Sequence, residues 1–439
     1  MRDLAYFLLA AMMTTTAARA QVRLPSIPLP TLPLQAVPQT LDQMQSQSID
    51  RLSDLRHLEI SRLIRDNPRL VDEDPNGEPV VRHEILGLSP TEAALDRARS
   101  LGFKVGREQT LAGMNLRLVV LESPSGMTTK KALRFLREAD PSGSYDYNHI
   151  YTGGGEVSRG SAARSQGPDS ADTAARNDSP GQNTQSGVRI GLLDTGIDIT
   201  HPVFRDSVVH SWGCEDRPVP AAHGTAVASL LIGHSEVFQG VRPNAELYAA
   251  DVFCGRPTGG AVDALVAALA WLQQEKVPVI NISLVGPKNT MLERVIGSLI
   301  AGGYVLVAAV GNDGPAAPPL YPASYQHVVG VTAVDAHRRI LIEAARGPQV
   351  MFAAPGADLA AAGSAHSYAA VRGTSFAAPF VAALLATGLA EPDAAAAAAA
   401  IDALAKTAVD LGPPGRDLTY GFGLVGADYR VDPAPLIRR

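Results

Sequence analysis

The sequence predicts an α/β protein: a parallel sheet with helices on both faces, preceded by a small α+β domain. Three observations carry this expectation. From Val188 onward, short apolar runs ("VRIGLLD", "LYAADVF", "VPVINISL", "YVLVAAV", "HVVGVTAV") alternate with Ala-rich helical stretches. Continuous apolar strands joined by helices imply a parallel sheet covered on both faces. Between Pro79 and Tyr151 the pattern reads strand, helix, strand, strand, helix, strand, the order of a ferredoxin-like unit. Residues 152–187 nearly lack large apolar side chains, cannot offset their ordering entropy, and read as a flexible linker.

The first twenty residues, "MRDLAYFLLAAMMTTTAARA", combine a short charged start, an apolar stretch from Leu4 to Met13 and a small-x-small close at Ala18-Arg19-Ala20. This is the pattern of an export signal cut after Ala20. A buried N-terminal helix is the competing reading; the run is too short for a bilayer, which takes about 20 residues. Residues 21–40 are Pro-rich, which removes donors and fixes the backbone, so they form an extended spacer. Residues 41–78 follow as a helical segment, with Leu52, Leu55, Leu58 and Ile60 at roughly helical spacing.

In the domain at 79–151 the expected strands lie near Val80–Ile85, Gly102–Gln109, Asn115–Leu121 and Ser144–Ile150. The first helix carries a start signal: Ser89 precedes Glu92 by three residues, the spacing of a capping box, and Pro90 suits the first helical position. Gly102 is its natural stop. The stretch "MTTKKALRFLREADP" supplies the second helix. After the linker, helices are expected at Ala226–Ile232, Val262–Gln274 and Met291–Ala301 within a domain spanning 188–430, followed by a tail at 431–439.

Open α/β sheets bind ligands beyond the carboxyl ends of their strands. Four residues there carry chemistry. Asp194 ends "IGLLD", His223 begins "HGTAVAS", Asn312 follows "YVLVAAV", and Ser375 opens a helix in "GTSFAAP". Singly, each has a bland explanation: a turn residue, a cap, a β-turn asparagine, an N-cap serine. Together they are what serine acyl transfer requires. A hydroxyl attacks only if a base takes its proton, which a histidine does near neutral pH. A carboxylate holds the imidazole tautomer, and an amide beside a helix N-terminus stabilises an oxyanion.

The segments "LLDTGID", "HGTAVAS", "ISLVGP", "AAVGNDG" and "GTSFAAPFVA", in that order, resemble the subtilisin-like serine proteases over about residues 188–427. The resemblance implies a subtilisin-like parallel sheet, with Asp194, His223 and Ser375 as catalytic triad and Asn312 in the oxyanion hole. It implies cleft walls at Ser283, Leu284, Val285, Gly286, Ala308 and Ala309. It also makes the domain at 79–151 an inhibitor-like propeptide whose last strand enters the cleft. The precursor would then cut itself at or just after Tyr151. Cys214 and Cys254, which as residues alone read as a pair or as two buried thiols, become a disulfide through that likeness. An α/β-hydrolase is excluded because G-x-S-x-G and the order Ser–Asp–His are absent. The sedolisin relatives use Glu and Asp where this chain has His223 and Asn312.

The departures are informative. Ala226 and Ser229 stand where the family often has His and Gly. Val285 replaces a glycine in the cleft wall and adds bulk. The resemblance places Asp313 near the pocket mouth, at a position where family members vary and where it is expected to favour a basic side chain slightly. Val203, in "HPVF", replaces the aspartate of a common calcium site, and "IGHSEVFQGV" is short of the usual calcium loop, so that site is expected to be missing and no cofactor is expected. The formal charge of −6, without any basic block, argues against a nucleic-acid partner. The expectation is an exported, monomeric endopeptidase, extracellular or periplasmic, without a membrane span, acting on polypeptides and partnered by its own propeptide. A silent peptide-binding module and an ester hydrolase are the alternatives; covalent fluorophosphonate labelling and a peptide-versus-ester comparison separate them.

Overall fold

The computed structural model describes residues 56–158 and 187–437. The expected signal peptide with Ala20, the Pro-rich spacer, the start of the helical segment and most of the linker lie outside the described residues. Residues 56–66 are helical (α1). Then come β1 (Val71–Glu73), β2 (Pro79–Leu88), α2 (Glu92–Ser100), β3 (Lys104–Leu111), β4 (Leu116–Glu122), α3 (Thr129–Ala139), β5 (Tyr145–Gly153) and β6 (Glu156–Val157). β2 to β5 form an antiparallel sheet in the order β5-β2-β4-β3, with β1 beside β2.

Alternation along these strands assigns each face its own partner. Ile85, Val119 and Leu121 pack under α2 and α3 with Leu95, Phe103, Leu133 and Leu136. Leu86, Leu88, Leu118 and Val120 point the other way, into an apolar cluster shared with Val262, Leu265, Leu269 and Met291. The start of α2 differs from expectation. Ser89 has φ 48° and its hydroxyl accepts from Arg117 N at 3.0 Å; the cap is Thr91, accepting from Ala94 N at 3.2 Å. Two hydroxyls competed for one N-cap, and the one adjacent to the first helical residue took it. Gly102, at φ 90°, ends α2 as expected.

The second part contains β7 (Arg189–Asp194), β8 (Val209–Trp212), α4 (Ala222–Ile232), β9 (Glu246–Asp251), β10 (Gly260–Ala261), α5 (Val262–Gln274), β11 (Val279–Ile282) and β12 (Leu284–Val285). It continues with α6 (Thr290–Ala301), β13 (Val305–Ala309), β14 (Val329–Val334), β15 (Val350–Pro355), β16 (Leu359–Ala362), β17 (Tyr368–Arg372), α7 (Thr374–Ala386) and α8 (Ala394–Thr407). The parallel sheet runs β15-β14-β13-β11-β7-β9-β8. Residues of α4 and α7 share one apolar cluster, and those of α5 and α6 another, on opposite faces. Both faces of the inner strands are therefore covered, which is why they read as unbroken apolar runs, whereas the edge strand β8 leaves His210 and Ser211 exposed. Among the described residues no helix is long and apolar enough to cross a membrane.

Three expected boundaries move. The helical segment expected to run to residue 78 ends at residue 66, and β1 at Val71–Glu73 instead pairs with β2. Thr152 and Gly153 belong to β5, and β6 pairs with β17, so strand pairing continues through Val157 rather than stopping at Tyr151. Low apolar content forbids a core but not backbone pairing with a sheet edge. The expected C-terminal tail also packs back: Ala434–Ile437 forms one helical turn, and Leu436 joins the apolar cluster around α4 and α7.

Candidate active site

Asp194 closes β7 with its side chain fully buried. One carboxylate oxygen accepts from Thr195 N at 2.7 Å and meets His223 Nδ1 at 2.7 Å. This contact puts the Nδ1 proton on the carboxylate side and leaves Nε2 to accept. His223 Nε2 is buried and has no hydrogen-bond partner among the described residues. Burial alone would pull the imidazole down, but the adjacent Asp194 carboxylate overrides it and holds the group above its ordinary value.

Ser375 is the second residue of α7 and is fully buried. It is not the N-cap. That position is Gly373, at φ 139°, where no side-chain cap bond is made. A Cβ on Gly373 would lie 2.8 Å from Gly154 O, so glycine is required for the close approach of two backbones. The cap residue supplies no side-chain bond, so the positive end of the helix dipole faces the cleft at the first turn. Ser283 Oγ donates to Ser375 O at 2.9 Å and is itself held by Asn281 Nδ2 at 2.8 Å. Asn312 follows β13. Its Oδ1 accepts from Thr374 N at 2.9 Å, which turns its Nδ2 onto Gly154 O.

The cleft is filled by the chain itself. Ser375 Oγ donates to Gly154 O at 2.8 Å, and Asn312 Nδ2 donates to the same carbonyl. Ser375 Oγ also lies 3.2 Å from Ser283 O. On one side of Gly154, Gly153 and Thr152 pair antiparallel with Leu284 and Val285, while Tyr151 and Ile150 pair with Gly260 and Ala261. On the other side, Glu156 and Val157 pair with Arg372 and Val371. The segment thus lies as an added strand between two walls.

The carbonyl at Ser375 belongs to Gly154, three residues beyond the Tyr151 expected there. Tyr151 is fully buried against Gly286, and its hydroxyl donates to Pro287 O at 2.6 Å. Pairing with β12 carries the strand past Tyr151 before it reaches the serine. Of the expected cleft residues, Ser283, Leu284, Val285 and Gly286 touch this strand or Ser375. Ala308 and Ala309 are buried in the two cores and do not line the cavity beside Gly154. A Cβ on Gly154 would meet Val285 at 3.7 Å, an ordinary contact; the tighter neighbours are Asn312 Nδ2 and Ser375 Oγ, each at 3.2 Å.

That cavity, about 410 Å³, is lined by Arg56, Val285, Asn312, Asp313, Glu343 and Arg372. Arg56, from α1, lies 3.0 Å from Asp313. Burial pushes the Asp313 carboxyl up, against the pull of that guanidinium. Helical spacing in the sequence points to α1 but carries no signal that it reaches the cleft.

Cys214 and Cys254 are bonded at 2.16 Å. Among the described residues they and Asp251 are the group with metal-donor spacing, and both sulfurs are engaged in that bond. Val203 is buried in the apolar cluster around α4, so this position offers a calcium ion no ligand oxygen from its side chain.

Residues 185–423 match the family model described as Subtilase family, Peptidase_S8. The chain is 31% identical over 249 residues to Subtilisin DY of Bacillus licheniformis, covering 55% of this chain and 89% of that protein. It is 33% identical over 250 residues to Subtilisin Savinase of Lederbergia lenta, covering 56% and 91%. Among solved structures, fervidolysin from Fervidobacterium pennivorans, a keratinolytic enzyme related to subtilisin, superposes with a TM-score of 0.65 at 21% identity, covering 82% of this chain and 62% of that one.

Proposed function

Because this chain belongs to the subtilase family and is a subtilisin-like serine endopeptidase, we propose that Ser375 is its nucleophile, His223 its base and acid, and Asp194 the group that orients the imidazole. His223 Nε2 takes the Ser375 hydroxyl proton as Oγ adds to the substrate carbonyl carbon. The oxyanion is held by Asn312 Nδ2 and the Ser375 N–H. The C–N bond then breaks, and the leaving amine takes the proton from Nε2. Water repeats the sequence on the acyl-enzyme and releases the acid. In the occupied cleft the Ser375 hydroxyl is turned onto Gly154 O, so it rotates to Nε2 before attack; catalytic hydrogen bonds commonly tighten only along the reaction.

The single observation that carries this reading is the Gly154 carbonyl, which receives both the Ser375 hydroxyl and the Asn312 amide. It also supports self-processing, with the cut between Gly154 and Gly155. In this reading residues 1–20 direct export. Residues 79–154 act as a ferredoxin-like propeptide that aids folding and then inhibits. The docking contacts favour that role: Asp146 accepts from Thr290 N at 2.7 Å at the start of α6, and Asn148 Nδ2 donates to Asp263 at 2.9 Å at the start of α5. A carboxylate at a helix N-terminus is favoured by the dipole.

The test is expression of the full chain with and without Ser375→Ala. Wild type should yield a mature species beginning at Gly155 and should take up a fluorophosphonate label. Ser375→Ala should keep the 154–155 bond intact and remain unlabelled. Cleavage of purified Ser375→Ala at that bond, with no other protease present, would refute the assignment.

A further inference from the structure

Gly155 is the first residue on the leaving-group side of the bond assigned above. A Cβ built on it would lie 2.5 Å from Phe376 Cε2 and 3.2 Å from Phe376 Cδ2 and from Arg372 O. The backbone does not require glycine here, because Gly155 is not among the positive-φ glycines. The obstacle is therefore the Phe376 ring. That ring is fully buried, follows Ser375 in the first turn of α7, and belongs to the apolar cluster shared with α4. Its other neighbour is the His223 imidazole, 5.2 Å between centroids. Moving the ring aside would disturb either the core or the histidine. Two residues earlier there is more room: the nearest atoms to a Cβ on Gly153 are those of the His223 ring, at 3.6 Å.

We propose that Phe376 makes the leaving-group side of the cleft selective for glycine, so that the enzyme takes polypeptides with glycine immediately after the scissile bond. This rests on the reading of Ser375 as nucleophile and of the Gly154–Gly155 bond as the one presented to it. A side chain forced into a packed site costs enough to slow cleavage by roughly 10- to 100-fold for alanine or valine in place of glycine.

The experiment compares full-length wild type with Gly155→Ala and Gly155→Val, each alone and with Phe376→Ala, following precursor loss on gels and the new N-terminus by sequencing. Internally quenched peptides Tyr-Thr-Gly-Gly-Xaa-Glu-Val, with Xaa as Gly, Ala or Val, give the same comparison in trans on processed wild type. Processing should slow in the order Gly, Ala, Val, and Phe376→Ala should bring the three rates toward one another. Fluorophosphonate labelling of each variant reports that its serine site is assembled. Equal rates for Gly and Val in a labelled wild type overturn the proposal and leave the nucleophile assignment standing. So does a Gly/Val ratio unchanged by Phe376→Ala in a labelled variant. A wild type that neither labels nor cleaves overturns the nucleophile assignment, and the glycine selectivity with it.

Discussion

Arg56 Nη1 stands 3.0 Å from Asp313 Oδ2, so the first described helix reaches the wall of the cavity beside Gly154. Both side chains are largely shielded from water, at 15% and 17% exposure. Removing Arg56 would leave a buried carboxylate without its cation, which weakens the hold of α1 by about 1–3 kcal/mol. The expected outcome for Arg56→Ala is an unchanged first cut and a shorter lag before activity toward an added peptide. Arg56 also bonds Glu78 at 3.0 Å, so Glu78→Gln is the control. A lag equal to wild type in Arg56→Ala would show that α1 does not restrain the cleft.

Asn312 offers a cleaner readout of transition-state binding. Its Oδ1 is fixed by Thr374 N, so the amide is held in place before any charge develops. Asn312→Ala should lower turnover by roughly 10² to 10³ with little change in KM; that magnitude is subtilisin's own, carried over to this relative. Steady-state kinetics on a quenched peptide decide it. An effect confined to KM would make Asn312 a ground-state binding residue.

The pH response follows from His223, whose value burial would lower but Asp194 raises. A raised imidazole makes the Asp194–imidazolium attraction a stabilising contribution that is complete below histidine's ordinary value of about 6.5 and lost as pH rises through the raised one. Activity runs the opposite way, because the base must be neutral. The acid limb of kcat/KM should therefore lie above about 6.5. In Asp194→Asn it should move to lower pH, with the plateau down by about 10⁴. A pH–rate profile checks both; an acid limb that stays in place in Asp194→Asn would detach it from this pair.

Much of this arrangement is legible in the sequence because it rests on local signals. Asp194, His223, Asn312 and Ser375 each stand at the end of an apolar run or the start of an Ala-rich one, and a parallel sheet gathers the carboxyl ends of its strands on one side. What is not legible depends on register. "TGGGEV" reads as linker by composition, yet Thr152 and Gly153 pair with Val285 and Leu284, and Glu156 with Arg372. Backbone pairing leaves no trace in side-chain composition. A reading that ends the strand at its last large residue stops at Tyr151 and misses Gly154. The reach of Arg56 to Asp313 is hidden for the same reason: it spans two elements distant in sequence, and no periodicity encodes it.

Tyr151 leads to the last prediction. Its ring lies on Gly286 so closely that a Cβ there would sit 2.7 Å from Cγ and 2.8 Å from Cδ1 and Cδ2. Gly286 does not have positive φ, so alanine suits its backbone and only the ring stands in the way. Gly286→Ala should therefore dislodge Tyr151 from its pocket, break the 2.6 Å bond from its hydroxyl to Pro287 O, and shift the strand that presents Gly154. Overpacking of this kind costs about 1–3 kcal/mol, so the first cut should slow by roughly 5- to 150-fold. Tyr151→Ala alone should also slow it, by loss of the buried ring. The informative variant carries both changes. If the ring is what alanine strikes, Gly286→Ala should cost little once Tyr151 is already alanine, and the two effects should be strongly non-additive. Rate constants for precursor loss in the four chains give the coupling directly. Additive effects would mean that Gly286 serves some purpose other than making room for Tyr151.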